Sequence, residues 1–175
     1  MMNKESCCSS RCSCKQTVVE YLYLDLQTCE RCMGTEDVLD EVMQVLTPVL
    51  ELAGYSVEYK KIKIETAEMA VKYQFLSSPT IRVNGQDIFQ SVVENDCGCC
   101  SEICDTDVEC RVFEYKGKNY EIPPKEALAA GILQLVFGLS GRGGHSDSYE
   151  LPANLKRFFA GKETRAGCSC QGNCC

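Results

Sequence analysis

Apolar residues recur along this chain with two periods, and each period predicts a different kind of element. Residues 18–24 form a run rich in valine, leucine and tyrosine, and residues 57–64 alternate over their later half, so both segments predict strands. Between residues 38 and 50 the apolar positions have helical spacing, which predicts a long helix. Pro48 should kink that helix, and Gly54 is a natural residue to follow its end.

The start of the long helix is predicted from its polar residues. Thr35 is a good N-cap residue, and Glu36 and Asp37 supply the acidic groups that favour a first helical turn. Met33-Gly34 precede that cap and should delay the start of the helix. We therefore expect Cys29 to lie outside the reach of the helix dipole, which would make it a weaker nucleophile but still a competent ligand.

The remaining elements follow in a clear order. We expect a short helix over 65–75, a strand over 80–83 ending at the turn Asn84-Gly85, a strand pair over 111–115 and 119–122, and a helix from Pro123-Pro124 to Gly138. A short amphipathic helix is predicted over 151–163, and we expect Leu155, Phe158 and Phe159 to dock it on the rest of the protein.

Length and charge bound the class of protein. The chain has 175 residues and a formal net charge of −7, which suits one soluble domain with tails and argues against nucleic-acid binding. It has no apolar run long enough to span a membrane and no apolar secretory stretch at its start, so a cytoplasmic location is expected. The expected division is a tail (1–16), a domain (17–138) with an insert (96–110), a linker (139–150), a short helix (151–163) and a second tail (164–175).

Cysteine is the most informative residue type, with fifteen cysteines against the single histidine His145. Two groups lie in the tails with mirrored spacing: Cys7, Cys8, Cys12 and Cys14, then Cys168, Cys170, Cys174 and Cys175. Ligand sets drawn from this chain must be almost entirely thiolate, and thiolates select soft ions such as Cu(I), Zn(II), Hg(II) and As(III). We therefore treat all the tail cysteines as candidate metal ligands, with drift in a disordered tail as the alternative.

The insert is the second candidate site. It places five thiols, Cys97, Cys99, Cys100, Cys104 and Cys110, within fifteen positions. Cys97 and Cys100 form a CxxC motif, and Cys104 and Cys110 would complete a four-sulfur set of the size that a closed zinc site requires. The spacing matches neither a standard zinc module nor the run found in bacterial ferredoxins. The alternative is an exposed loop with incidental disulfides.

The third candidate is Cys29-Glu30-Arg31-Cys32, a CxxC motif between a predicted strand and a predicted helix. Two sulfurs at such a chain reversal can close a disulfide or hold a soft ion. In an exchange enzyme Cys29 would attack a disulfide and Cys32 would resolve the mixed disulfide. In a binding protein the same pair would supply two thiolates.

The order of elements, the CxxC motif, Ser78-Pro79-Thr80-Ile81 and Val83-Asn84-Gly85 resemble the thioredoxin fold. The resemblance implies an α/β fold with a central mixed sheet flanked by helices, and a cis Pro79 facing the two sulfurs as part of the catalytic site. The tryptophan-containing signature of thioredoxin itself is absent. More narrowly, the chain resembles an uncharacterised thioredoxin-like family of bacteria and archaea, labelled a domain of unknown function. That resemblance implies a CxxC motif and suggests arsenic or mercury detoxification.

Two hypotheses follow. The favoured one is a cytoplasmic thioredoxin-like protein that binds or transfers soft metal or metalloid ions, with no organic cofactor. The alternative is a dithiol–disulfide oxidoreductase that uses Cys29 and Cys32 with a thiol redox partner protein.

Overall fold

The computed structural model describes residues 15–89, 91–138 and 148–167, and they form a mixed α/β structure. The elements in chain order are β1 (Lys15–Tyr23), α1 (Glu30–Leu52), β2 (Tyr55–Lys63), α2 (Ala67–Lys72), β3 (Thr80–Val83), β4 (Gln86–Asp87), β5 (Val93–Asp96), α3 (Gly98–Cys104), β6 (Glu109–Tyr115), β7 (Lys118–Tyr120), α4 (Lys125–Val136) and α5 (Ala153–Gly167). Both predicted strands before residue 65, and the strand after Pro79, are present.

A mixed sheet with the strand order β2-β1-β3-β4 forms one layer. β1 pairs with β2 in parallel and with β3 in antiparallel orientation, with Val19 opposite Val83. Because parallel strands need a crossover connection, α1 joins β1 to β2. The CxxC motif therefore lies at the point where the chain leaves the central strand β1.

The long helix begins earlier than the sequence predicted. Cys29 is the N-cap of α1, and Thr35 is a buried residue inside the helix, so the prediction of an N-cap at Thr35 was wrong. Gly34 lies inside α1 without interrupting it, and Ile122 packs so closely there that a Cβ at this position would lie 2.3 Å from its Cδ1 atom. Tertiary packing at Gly34 thus outweighs its poor helix propensity, and Cys29 lies at the positive end of the helix dipole.

The cysteine-rich insert is an ordered part of the fold. Its residues form the short helix α3, and the flanking strands β5 and β6 pair antiparallel in a second sheet of order β5-β6-β7. The amide of Arg111 on β6 donates to the carbonyl of Ser78 at 2.7 Å, which ties this sheet to the loop before β3. Arg31 of the CxxC motif also bonds the carbonyl of Cys110 on β6, so the second sheet is held against both the loop before β3 and the CxxC region.

The helix α5 packs on α3, which shows where the predicted docking of its apolar residues occurs. Leu155, Phe158 and Phe159 are buried. The two helices approach so closely that a Cβ at Gly161 would lie 2.2 Å from the carbonyl oxygen of Cys104. Any larger residue at position 161 would push α5 away from α3.

Nearly all the buried hydrophobic residues of the described ranges fall into two clusters, which we name the apolar core and the cysteine core. The apolar core comprises Val19, Tyr21, Leu39, Val42, Met43, Leu46, Leu50, Ile81, Val83, Phe89, Phe113, Ala127, Leu128, Ile132 and Val136. The cysteine core comprises Leu22, Leu24, Cys29, Cys32, Ile64, Ala70, Phe75, Cys97, Cys100, Cys104, Val108, Cys110, Leu155, Phe158 and Phe159. Across the described ranges, no helix has the length and apolar character needed to cross a membrane.

Candidate metal centre

Cys29 is held by the turn between β1 and α1. Asp25 accepts hydrogen bonds from the amides of Gln27 and Thr28 at 2.9 and 2.6 Å, which fixes the turn before the helix. The sulfur of Cys29 accepts a hydrogen bond from the amide of Cys32 at 3.4 Å, as an N-cap side chain does. A negative sulfur at this place is favoured by the N-terminus of α1.

Cys97 and Cys100 come from the start of α3. Cys97 is the N-cap of that helix, and its amide donates to the carbonyl of Val108 at 2.8 Å. Ser101 fastens the same segment, since its hydroxyl donates to the carbonyl of Cys97 and accepts from the amide of Val108. The helical turn then brings the sulfur of Cys100 to the same side as that of Cys97.

Cys110 lies on β6 and supplies the fourth sulfur. Its Sγ atom is 3.3 Å from that of Cys100. Arg31, a buried residue inside the CxxC motif, donates from Nη1 to the carbonyl of Cys110 at 2.9 Å and from Nη2 to Glu121 at 2.8 Å. Arg31 therefore connects the first turn of α1 to the strand that carries Cys110.

The sulfur atoms of four buried cysteines meet at one place. The Sγ atoms of Cys29, Cys97, Cys100 and Cys110 all lie within 4.8 Å of one another, and those of Cys29 and Cys97 are 3.9 Å apart. A tetrahedral ion with metal–sulfur bonds of about 2.3 Å sets sulfur–sulfur separations of about 3.8 Å. The observed spacing suits a single four-coordinate ion, whereas an iron–sulfur cluster holds its cysteines further apart.

Cys32 lies beside this set but outside it. Its sulfur shares a hydrogen bond of 3.3 Å with the hydroxyl of Ser78, which also accepts from the amide of Leu24 at 3.1 Å. The Ser78–Pro79 peptide bond is cis, as the resemblance implied. The CxxC motif and the loop before β3 are thus in direct contact through Cys32 and Ser78.

The structure arranges the other insert thiols differently from the four-sulfur set suggested by the sequence. Cys104 is buried outside the four, where its thiol donates to the carbonyl of Cys100 at 3.3 Å and contacts the hydroxyl of Thr106 at 3.0 Å. Cys99 is half-buried. The fourth member of the set is therefore Cys29, whereas the spacing within the insert had suggested Cys104.

The four sulfurs differ in acidity because they contact one another. Hydrogen bonds from Cys100 and Cys110, followed by those from Cys32 and Cys97, hold the pKa of Cys29 well below its ordinary value. Contacts with Cys100 and Cys110 lower the pKa of Cys97 to about 7. The pKa of Cys100 is raised by its contacts with Cys110, Cys29 and Cys97 and by burial.

Like Cys100, the thiols of Cys110 and Cys32 have pKa values above that of an ordinary cysteine. Contact with Cys100 lowers the pKa of Cys110, but contacts with Cys29 and Cys97 and burial outweigh that effect and raise it overall. The pKa of Cys32 is raised well above its ordinary value by its contact with Cys29 and by burial. A buried group of thiols cannot collect several negative charges without a cation, so binding of a divalent ion would displace protons from this site.

Sequence reasoning found every member of the four as a candidate but did not join Cys29 to the insert. The one sequence feature that Cys29 shares with Cys97 and Cys100 is a place in a CxxC motif. The spacing of the two motifs along the chain does not predict that they meet. The tail candidates Cys7, Cys8, Cys12, Cys14, Cys168, Cys170, Cys174 and Cys175, and most of the predicted linker with His145, lie outside the described residues.

The geometry defines a class of protein with a buried four-thiol site, able to hold a metal ion, on a mixed α/β scaffold. Residues 17–131 match the family described as a domain of unknown function, DUF2703, and the chain belongs to that family. Neither the search of curated proteins nor that of solved structures found a significant match. The family match covers all four cysteines but ends before α5.

Proposed function

We propose that this protein binds one soft metal or metalloid ion through the thiolates of Cys29, Cys97, Cys100 and Cys110. The observation that carries the proposal is the convergence of these four buried sulfurs within 4.8 Å. A closed set of four sulfur ligands without an open position is typical of sites that hold an ion rather than sites that activate water.

The chemistry of the donors limits the choice of ion. Thiolates favour Zn(II), Cu(I), Hg(II) and As(III) over hard cations. Four sulfurs suit tetrahedral Zn(II) without rearrangement. Hg(II) needs only two thiolates and As(III) three, so both find enough donors here. We propose capture or transfer of such ions in detoxification, with the tail cysteines as additional donors that deliver ions to the buried site.

A thioredoxin-like scaffold in the cytoplasm is part of the proposal. The order strand, CxxC, helix, strand, helix and cis-proline strand supports it. A reducing compartment would keep many thiols free, and the seven cysteines of the described chain carry free thiols.

The test uses the full chain with the eight tail cysteines replaced by serine, so that the buried site is measured alone. Titration with Zn(II), Hg(II) and As(III) under anaerobic conditions should reach one ion per chain. Co(II) loading should give the absorption of a tetrahedral tetrathiolate. The proposal would be overturned if none of these ions bound at a ratio of one ion per chain.

A pair of single substitutions in that background tests the ligand assignment. Cys100→Ser should weaken Zn(II) binding by about a hundredfold or more, because it removes one of four thiolates. Cys104→Ser is the matched control, since Cys104 is also a buried cysteine of α3 but lies outside the four. Equal losses in the two variants would contradict the assignment.

The second candidate function is dithiol–disulfide exchange. It is supported by Cys29 at the N-terminus of α1 and by Cys32 against the loop of the cis Pro79. Both sulfurs are buried, however, so a protein disulfide cannot reach them without opening of the structure. Rapid reduction of insulin or oxidised glutathione, lost in Cys29→Ser, would favour this function over ion binding.

A further inference from the structure

Cys29 belongs to two groups of sulfurs at once. It is one of the four thiols that surround the candidate ion site, and it is also the first cysteine of the CxxC motif. Its neighbour Cys32 is buried beside it but is not among the four. With an ion bound, Cys32 would therefore remain an uncoordinated thiol next to a coordinated one.

The loop before β3 holds Cys32 in that position. The hydroxyl of Ser78 is 3.3 Å from the Cys32 sulfur, and the carbonyl of Ser78 accepts from the amide of Arg111, the residue after the ligand Cys110. The carbonyl of Cys32 accepts a bond of 2.6 Å from the buried hydroxyl of Tyr21. These contacts anchor Cys32 to the scaffold independently of any ion.

We propose that a small hydroperoxide oxidises Cys29 and Cys32 to a disulfide and thereby releases the ion. This inference rests on the proposed function. The disulfide would remove one of four sulfur donors, and Cys97, Cys100 and Cys110 would be left as an incomplete site. Because Cys29 belongs to both groups, the redox state of the CxxC motif would then decide whether the ion stays bound.

The chemical step balances with hydrogen peroxide as the oxidant. The thiolate of Cys29 attacks one peroxide oxygen, the O–O bond breaks, and a sulfenic acid and hydroxide form. The Cys32 sulfur then attacks the sulfenic sulfur, the S–S bond forms, and a second hydroxide leaves. The thiol proton of Cys32 and one proton from solvent convert the two hydroxides to water, so two electrons pass from the two sulfurs to one peroxide.

Burial of the site favours a small oxidant over a large one. Both CxxC sulfurs are shielded from solvent, so a peroxide close to water in size enters more readily than a bulky disulfide. Cys32 is the preferred resolving thiol because the other close neighbours of Cys29, namely Cys97, Cys100 and Cys110, would be engaged by a bound ion.

The experiment uses the full chain with the eight tail cysteines replaced by serine, loaded with Zn(II) and then treated with hydrogen peroxide. A chromophoric chelator follows Zn(II) release, and alkylation with peptide mass mapping identifies the disulfide. We expect release of the bound ion together with a Cys29–Cys32 disulfide. In Cys32→Ser we expect the same initial Zn(II) content but release slowed by about tenfold or more, because no resolving thiol is present.

Two further variants keep the test decisive. Cys99→Ser removes a half-buried thiol of the same region outside the four, and its release rate should match that of the parent. Cys32→Ala repeats the test without a hydroxyl if the serine variant folds poorly.

Release from the Cys32 variants at the parental rate, or a disulfide at other cysteines, would overturn the switch while leaving ion binding intact. Absence of bound Zn(II) before oxidation would overturn both proposals.

Discussion

The apolar core and the cysteine core lie in the same structure and are both buried, but they are built from different side chains. The apolar core joins α1, α4 and the mixed sheet through aliphatic and aromatic residues. The cysteine core joins α1, α3, β6 and α5, and six of its buried members are cysteines. Only the second core therefore brings groups together that can bind an ion.

The apolar core and the cysteine core also differ in the interactions that stabilise them. Aliphatic side chains stabilise a core by leaving water, in proportion to the apolar area that they bury. Thiols add less apolar area, and in the four-sulfur set they face one another. We therefore expect a bound ion to stabilise the cysteine core more than the apolar core.

The largest expected effect is that of ion loading on stability. With free Zn(II) at a thousand times its dissociation constant, the folded state should gain about 4 kcal/mol, which corresponds to a rise in Tm of roughly 10 °C. Calorimetry with and without a chelator measures the shift. Hydrogen exchange should slow mainly in α3 and β6, and uniform slowing across α4 as well would contradict the division into two cores.

Truncation of one large residue in each core should separate the two sources of stability. Leu128→Ala in α4 should cost about 3 kcal/mol of unfolding free energy, with the same loss in the presence and absence of Zn(II). Phe158→Ala in α5 should cost a similar amount and should also reduce the stabilisation by Zn(II), because Phe158 packs in the core that holds the sulfurs. Denaturant unfolding at fixed ion concentration compares them, and equal Zn(II) stabilisation in both variants would contradict the prediction.

A smaller effect is expected for Arg31, which supports the site without contributing a sulfur. Arg31→Lys should weaken Zn(II) binding by about tenfold, because a lysine cannot keep both the bond to the carbonyl of Cys110 and the bond to Glu121. Competition with a chromophoric chelator measures the change. Arg82→Lys is the control and should bind as the parent does, because Arg82 also donates to two backbone carbonyls, but these belong to Tyr73 and Gln74 and not to one of the four cysteines.

The smallest effect is expected at the far end of α1. Leu52 is 90% exposed, so Leu52→Ser should change the unfolding free energy by less than about 0.5 kcal/mol and leave Zn(II) binding unchanged. Thermal unfolding and ion titration of the same sample measure both quantities. A large loss in either quantity would contradict the exposed position of Leu52.

Local patterns predicted most of the elements correctly. The strand before the CxxC motif, the turn at Asn84-Gly85 and the helix α4 all follow from short-range periodicity and turn chemistry, as does docking of α5 through Phe158 and Phe159. The start of α1 was mispredicted because Gly34 packs against Ile122, a contact between residues distant in sequence.

The sequence by itself determined that this protein is rich in soft donors and that two CxxC motifs lie in the region matched by its family. Only the tertiary structure decided which four sulfurs meet, because Cys29 at the N-terminus of α1 meets Cys97, and Arg31 in the first turn bonds the carbonyl of Cys110, through contacts between segments distant in sequence. Ligand sets assembled from distant segments depend on how elements pack, and no periodicity along the chain records that packing. Cys104, one helical turn from Cys100, therefore lies outside the four, while a residue 68 positions before Cys97 lies among them.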